Sequence, residues 1–301
     1  MLEIDGLRKS YGEVVALNGC SFNVARGRVL GFVGRNGAGK TTTMRGIFGL
    51  VALDAGSVRW DGAEVTRESR ARFGYMPEER GLYPRMRSRD QLVFFAQLRG
   101  LDAATAGREA DRWLERLDLS DRADSTLDSL SHGNQQKIQL AVSLAGDPDL
   151  LVLDEPFAGL DPIASETLAS VIRDEAARGK AILFSSHQLD LVGDVCDDVA
   201  IITRGRVVQT GDLEEIRRAS PFRYAAATFL EDVAPADLDR AVQRLEGGRV
   251  MRCDGRDVRL QVHADERVED VLAVLTATGR VERFRFEPPN LEDIFREAVR
   301  E

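Results

Sequence analysis

No stretch of this 301-residue chain stays apolar for the roughly 18 residues that a membrane-spanning helix needs, and the opening Met1-Leu2-Glu3-Ile4-Asp5 lacks the pattern of a signal peptide. The chain therefore reads as cytoplasmic, and any role at a membrane requires a partner. Cysteine is scarce: Cys20, Cys196 and Cys253 are isolated, odd in number and without C-x-x-C spacing, which argues against disulfides and structural zinc. Basic charge is in deficit as well, with 41 Lys and Arg against 50 Asp and Glu for a net charge of −9, so no nucleic-acid surface is expected. The arginine clusters at 67–72 and 80–89 are local and read as solvated faces. The length suits two domains, at least one with a sizeable core.

Glycine, by contrast, is concentrated where it has a use. The segment Gly34-Arg35-Asn36-Gly37-Ala38-Gly39-Lys40-Thr41-Thr42 follows the apolar run Val29-Leu30-Gly31-Phe32-Val33 and leads into a helical pattern ending near Leu50. Strand, glycine loop and helix in that order make a phosphate loop. Gly34, Gly37 and Gly39 let the backbone turn its N–H groups onto phosphate oxygens, and the helix aims the positive end of its dipole there. Lys40 is placed to clamp the β- and γ-phosphates, and the Thr41 hydroxyl to sit on Mg²⁺. The bland alternative is a glycine-rich turn, against which the correct flanks weigh.

Upstream, the short β-like pieces 2–4, 20–24 and 28–33 alternate with turns. Tyr11 falls in the first connection, where it either stacks on a nucleotide base or packs as an ordinary tyrosine. Downstream, 56–60 and 73–77 are β-like, and 90–119 reads as helical with breaks at Arg99-Gly100 and around Gly107. Ser131, before a helix expected over 135–144, suits a phosphate as well as a plain N-cap. The apolar strand 149–153 ends in Asp154-Glu155-Pro156, two acids at the strand end where open α/β sheets bind ligands. Asp154 there can hold Mg²⁺ through water, and Glu155 can polarise an attacking water. Gly159-Leu160-Asp161-Pro162 turns into a helix over 163–178. A strand from Ala181 then ends at Ser185-Ser186-His187, where His187 either touches a γ-phosphate or is an ordinary surface histidine.

Taken in order, these motifs resemble the ATP-binding subunits of ABC transporters over roughly residues 1–218. The resemblance implies an α/β fold: a P-loop NTPase core of ABC type with an antiparallel β subdomain and a helical subdomain at about 88–146. It implies that Tyr11 stacks on adenine, that Gly34, Arg35, Asn36, Gly37, Ala38, Gly39, Lys40, Thr41 and Thr42 are the Walker A loop, and that Leu150 to Asp154 are Walker B. Glu155 would be the catalytic carboxylate and His187 the switch histidine. Ser131 and Gly133 of the signature, with Asp161 of the D-loop, would reach the ATP of a second subunit. ATP and Mg²⁺ are the implied ligands, with Thr41, Asp154 and Glu78 near the metal. The implied partners are an integral-membrane permease and a second ATP-binding subunit, identical or paralogous, at the inner face of the membrane, with no nucleic acid.

Two motifs depart from the family pattern. Glu78 stands where the lid usually has glutamine, and the signature is Leu130-Ser131-His132-Gly133-Asn134 in place of Leu-Ser-Gly-Gly-Gln. The segment Tyr75-Met76-Pro77-Glu78-Glu79-Arg80-Gly81-Leu82-Tyr83-Pro84 resembles sodium- and drug-efflux subunits, which implies export, and the resemblance makes 78–89 the surface that receives a permease helix. Residues 221–301 read as βαββαβ followed by a helix, a small α+β ferredoxin-like domain. It resembles the accessory domain of that exporter branch and is expected to brace packing or dimerisation in preference to sensing a ligand. Rival readings are an ABC-type ATPase acting on nucleic acid or ribosomes, and a regulatory subunit that binds ATP without turnover. The acidic charge and the lack of a coiled-coil insertion between Lys40 and Asp154 count against the first, and the presence of Glu155 and His187 against the second.

Overall fold

The structure, a computed structural model, describes residues 1–79 and 81–300. Arg80, in the expected lid, and Glu301, at the end of the accessory domain, lie outside the described residues. The chain divides into two compact units, Met1–Asp212 and Leu213–Glu301.

The first unit opens with β1 (Leu2–Tyr11), β2 (Val14–Val24), β3 (Val29–Val33), α1 (Lys40–Ile47), β4 (Ala55–Trp60), β5 (Ala63–Glu64), α2 (Arg67–Arg70) and β6 (Phe73–Met76). A helical layer follows, α3 (Ser88–Leu98), α4 (Ala103–Arg116) and α5 (His132–Leu144). The unit closes with β7 (Leu150–Leu153), α6 (Pro162–Ala177), β8 (Ala181–Ser186), α7 (Leu189–Val195), β9 (Asp198–Thr203) and β10 (Arg206–Asp212).

Two sheets result. One is antiparallel in the order β2-β1-β4-β5; the other runs β10-β9-β3-β8-β7-β6, parallel except for its β10 edge. β3, β7 and β8 are buried along their whole length, which is why they read as unbroken apolar runs and not as alternating ones. Met44 and Ile47 of α1 belong to one apolar core with Leu2, Phe22 and Trp60 of the first sheet and Phe32, Val152 and Leu183 of the second. The helix that starts at the glycine loop is thereby fixed between two sheets.

Several local expectations change. Tyr11 is the last residue of β1, paired with Val14 across the Gly12-Glu13 turn, and not part of a loose connection. Gly107 does not interrupt α4, because the Asp102 carboxylate caps its start and Ala106, Ala110, Trp113 and Leu114 bury one face. That burial outweighs the roughly 1 kcal/mol glycine costs within a helix. α5 begins at His132, three residues before the expected start, because Ser131 is its N-cap.

The second unit contains α8 (Leu213–Ala219), β11 (Phe222–Phe229), α9 (Pro235–Val242), β12 (Arg249–Asp254), β13 (Asp257–His263), α10 (Val268–Thr278), β14 (Val281–Glu287) and α11 (Leu291–Arg300). Its antiparallel sheet has the order β12-β13-β11-β14. Ala225, Ala227, Phe229, Val258, Leu260 and Val262 form a core with Leu238, Val242, Val271 and Leu275 of α9 and α10. The helices cover one face of the sheet, as the split βαββαβ order requires.

Candidate functional site

The loop 34–39 connects β3 to α1 under tight steric control. Gly39 has φ 113°, and a Cβ there would meet the Ala16 carbonyl at 2.7 Å; one on Gly34 would meet the Ile202 carbonyl at 2.5 Å. Side chains at either position would push the loop out of place. As N-cap of α1, Gly39 offers no side-chain acceptor, so the first turn keeps N–H groups directed outward for an anion. The Lys40 ammonium curls back to the Gly34 carbonyl at 2.7 Å and lies 3.5 Å from Glu155 Oε1.

The acids arrive on β7. Asp154 is 1% exposed, its N–H donates to the Met76 carbonyl, and its Oδ1 accepts the Ser185 hydroxyl at 2.6 Å. The same Ser185 oxygen accepts the Glu155 N–H at 2.9 Å. That bond helps hold Glu155 at φ 51°, a left-handed conformation costing of order 1–3 kcal/mol for a non-glycine residue. Glu155 Oε2 then meets His187 Nδ1 at 2.8 Å, with the imidazole half-exposed. Burial, reinforced by the negative charge of Asp154, pushes the phenol of neighbouring Tyr75 up.

Tyr11, Val14, Val15, Ala16, residues 35–42, Glu78, Asp154 and Glu155 line one cleft of about 500 Å³. Asp154 lines this cleft, and its buried Oδ2 has no hydrogen-bond partner among the described residues. Such an orphan costs about 1–3 kcal/mol unless something meets it, and the Thr41 side of the same cleft makes a cation the fitting match. No group of three or more His, Cys, Asp or Glu gathers as a metal cage among the described residues. A metal held here would take its remaining ligands from phosphate and water, the usual habit of Mg²⁺.

Ser131, Gly133 and Asp161 are not among the residues lining this cleft. Ser131 Oγ accepts the Asn134 N–H at 3.4 Å at the start of α5, and Asp161 Oδ1 accepts the Ala164 N–H at 2.8 Å at the start of α6. The two helix starts adjoin: a Cβ on Gly133 would lie 3.5 Å from Ala164 Cβ. His132 joins them further, its Nε2 2.8 Å from the Ala158 carbonyl and its ring against the place a Gly159 Cβ would occupy.

Two residues that tie the site together leave little trace in the sequence. In sequence Ser185 is only the end of an apolar strand, and its one signal is a serine at the finish of a buried strand, able to bridge the two acids by hydrogen bonds. Gln139 of α5 donates to the Pro77 carbonyl at 2.7 Å, tying the helical layer to the residue before Glu78; a buried glutamine on an apolar helix face was its only trace.

Residues 17–158 match the family described as ABC transporter, and residues 211–299 match the C-terminal domain of DrrA1-3-like ATP-binding proteins. The chain is 39% identical over 299 residues to the uncharacterized ABC transporter ATP-binding protein YhaQ of Bacillus subtilis (strain 168), covering 99% of this chain and 98% of that one. It is 34% identical to the Nod factor export ATP-binding protein I of Paraburkholderia xenovorans (strain LB400), over 98% of this chain and 95% of the relative. A solved structure of an ATP binding subunit of an ABC transporter superposes with a TM-score of 0.67 at 33% identity, over 72% of this chain and 92% of that chain. With the phosphate loop, the paired acids and the accessory domain all in place, the chain belongs to the ATP-binding subunits of ABC transporters, ATPases that work with membrane permeases.

Proposed function

We propose that this subunit hydrolyses MgATP as one of a head-to-tail pair and drives export through a separate permease at the inner face of the membrane. The observation that carries the reading is the meeting of Lys40, Asp154 and Glu155 on one cleft with the uncapped start of α1. Tyr11, half-exposed at the cleft mouth, presents a ring face for the adenine. Backbone N–H groups of 35–41 hold the phosphates, and Lys40 exchanges its contacts to Gly34 and Glu155 for phosphate oxygens. Mg²⁺, held by the Thr41 hydroxyl and the free oxygen of Asp154, would neutralise charge on the β- and γ-phosphates. Glu155, released from Lys40, accepts a proton from the attacking water, and His187 fixes the orientation of its carboxylate. Glu78 faces the same cleft and adds a second acid beside the water and metal positions. Ser131, Gly133 and Asp161 act on the partner's nucleotide.

Cargo direction rests on the resemblance to export subunits, and docking rests on the lid. The Tyr83 ring is half-exposed, edge-on to Phe94 and stacked on Phe95 with centroids 5.7 and 6.2 Å away, and it forms an apolar cleft with Pro84, Arg85 and Met86. A permease helix is the proposed occupant. The test compares ATPase activity of wild type and Tyr83→Ala with and without the reconstituted permease. The permease should stimulate the wild type and stimulate the variant less, with basal ATP affinity unchanged. Equal stimulation removes the docking assignment, and no stimulation of the wild type removes the transport reading.

A further inference from the structure

The second unit carries a basic surface that the ATPase reading does not use. α9 and α10 cover one face of its sheet; on the other, α11 reaches Tyr224, whose hydroxyl donates to Glu297 at 2.9 Å, and Arg259, which pairs with Asp293 and lies over the Tyr224 ring at 5.0 Å. Beyond them Ala226 and Thr228 are partly exposed, and Arg252, Arg283 and Arg285 are exposed. Across this face, strand register sets Arg285 beside Ala226, Ala226 beside Arg259, and Arg259 beside Arg252, one residue from each of the four strands. Neighbouring strands are about 4.8 Å apart, so Ala226 is a gap with a guanidinium-bearing strand on either side. The next row places Arg283 beside Thr228.

These residues enclose a hollow of about 290 Å³ whose floor is Ala226 and Thr228. That lies at the small end of ligand sites, roughly 300–1,000 Å³. The charges are unevenly matched. Arg252 pairs with Asp254, Arg259 Nη2 with Asp293, and Asp257 accepts the Thr228 hydroxyl. Arg283 and Arg285 have no ion pair or side-chain hydrogen bond among the described residues, and the buried Nε of Arg259 has no hydrogen-bond partner there. Arg283 and Arg285, without ion pairs, thus line a floor without bulk beside the unpartnered Nε of Arg259, with Asp257 the one carboxylate in the lining among the described residues, in a chain of net charge −9. A monocarboxylate would match one guanidinium and leave a second unmatched. A phosphate group, with two negative charges and three acceptor oxygens, matches the forked donors on both sides of the gap.

We infer that this face of the accessory domain, around Ala226, Thr228, Arg259, Arg283 and Arg285, is a binding site for a small phosphate-bearing anion, distinct from the nucleotide cleft. The phosphate comes either from a soluble molecule or from a lipid headgroup.

Amide and arginine side-chain NMR signals of the deuterated full-length protein, with its nucleotide cleft first saturated by MgADP, would be followed during titration with pyrophosphate. Saturable shifts are expected at Ala226, Thr228 and Arg259. Binding should weaken roughly tenfold or more in Arg283→Glu/Arg285→Glu, from loss of charge-assisted bonds. It should weaken as much in Ala226→Leu, which fills the gap and leaves the charge unchanged. Should charge reversal lower the melting temperature, Arg283→Gln/Arg285→Gln takes its place. A second arm sediments the protein with phosphatidylglycerol or phosphatidylcholine vesicles. Binding only to the anionic vesicles, lost in both variants, supports the site and assigns the phosphate to lipid. Silence in both arms overturns the inference, as does a response that either variant leaves intact; sensitivity to charge alone means a diffuse basic surface and no built site.

Discussion

The nucleotide cleft and the signature surface are two halves of one proposed site, yet the fold treats them differently. Lys40, Asp154 and Glu155 are each less than a tenth exposed and are locked to one another, to Ser185 and to His187. Ser131 and Asp161 are exposed, and among the described residues their side-chain oxygens only cap α5 and α6. The first half is assembled by the chain's own core. The second is a pair of adjoining helix starts away from the cleft lining, which suits groups proposed to meet their ligand on another molecule. On the proposed reading, binding is then a property of the first half alone, and turnover a property of both.

The variant with the largest expected effect is Glu155→Gln. A general base contributes about 10²- to 10⁴-fold, so hydrolysis should fall by that factor while MgATP binding persists. The bound state should then accumulate as a pair of subunits, seen as a doubling of mass by light scattering on adding ATP. Full activity in the variant would move the base elsewhere, with Glu78 the next acid in the cleft.

Lys40→Ala attacks the binding half directly. Loss of charge-assisted hydrogen bonds worth about 1.5–3 kcal/mol should weaken ATP binding about 10- to 150-fold by calorimetry. Lys40 also neutralises Glu155, so its removal exposes a buried carboxylate to nucleotide phosphate and pushes the loss toward the upper end. Unchanged affinity would show that the backbone of the loop binds ATP without the clamp.

The two halves were also unequally legible in the sequence. The phosphate loop and the strand ending in Asp154-Glu155 could be read because the constraints are local: glycine where a Cβ would strike the Ile202 or Ala16 carbonyl, and apolar residues at every position of a buried strand. The ferredoxin-like order of the second unit was legible for the same reason, its strands and helices each carrying their own periodicity. Contacts that span the chain were not. Ser185 reaches Asp154 across 31 positions, and His132 reaches Ala158 across 26. Nor was the arginine row, since it exists only through the register of four strands. The end of β1 at Tyr11 was missed because its partner, Val14, is exposed and gives no apolar alternation.

His132 is where the halves are joined, and it supports the finest test of their difference. Its ring nitrogen meets the carbonyl of Ala158, and Ala158 in turn donates its N–H to the carbonyl of Glu155 at 3.1 Å. The helix start at His132, the approach to Asp161 and the proposed base Glu155 thus share one short chain of contacts. A single hydrogen bond of this kind contributes about 0.5–1.5 kcal/mol, so His132→Ala should reduce the maximal hydrolysis rate about two- to tenfold. ATP affinity measured on dilute, monomeric protein should stay the same, because the His132 ring contacts Ala158, which does not line the nucleotide cleft. His132→Gln, whose amide can donate to the same carbonyl, should recover much of the rate. If affinity falls with rate, the signature surface supports the cleft within one chain and the two halves are not separable. If neither quantity moves, the histidine is a surface contact, and the coupling between the sites runs through α6 and Asp161 instead.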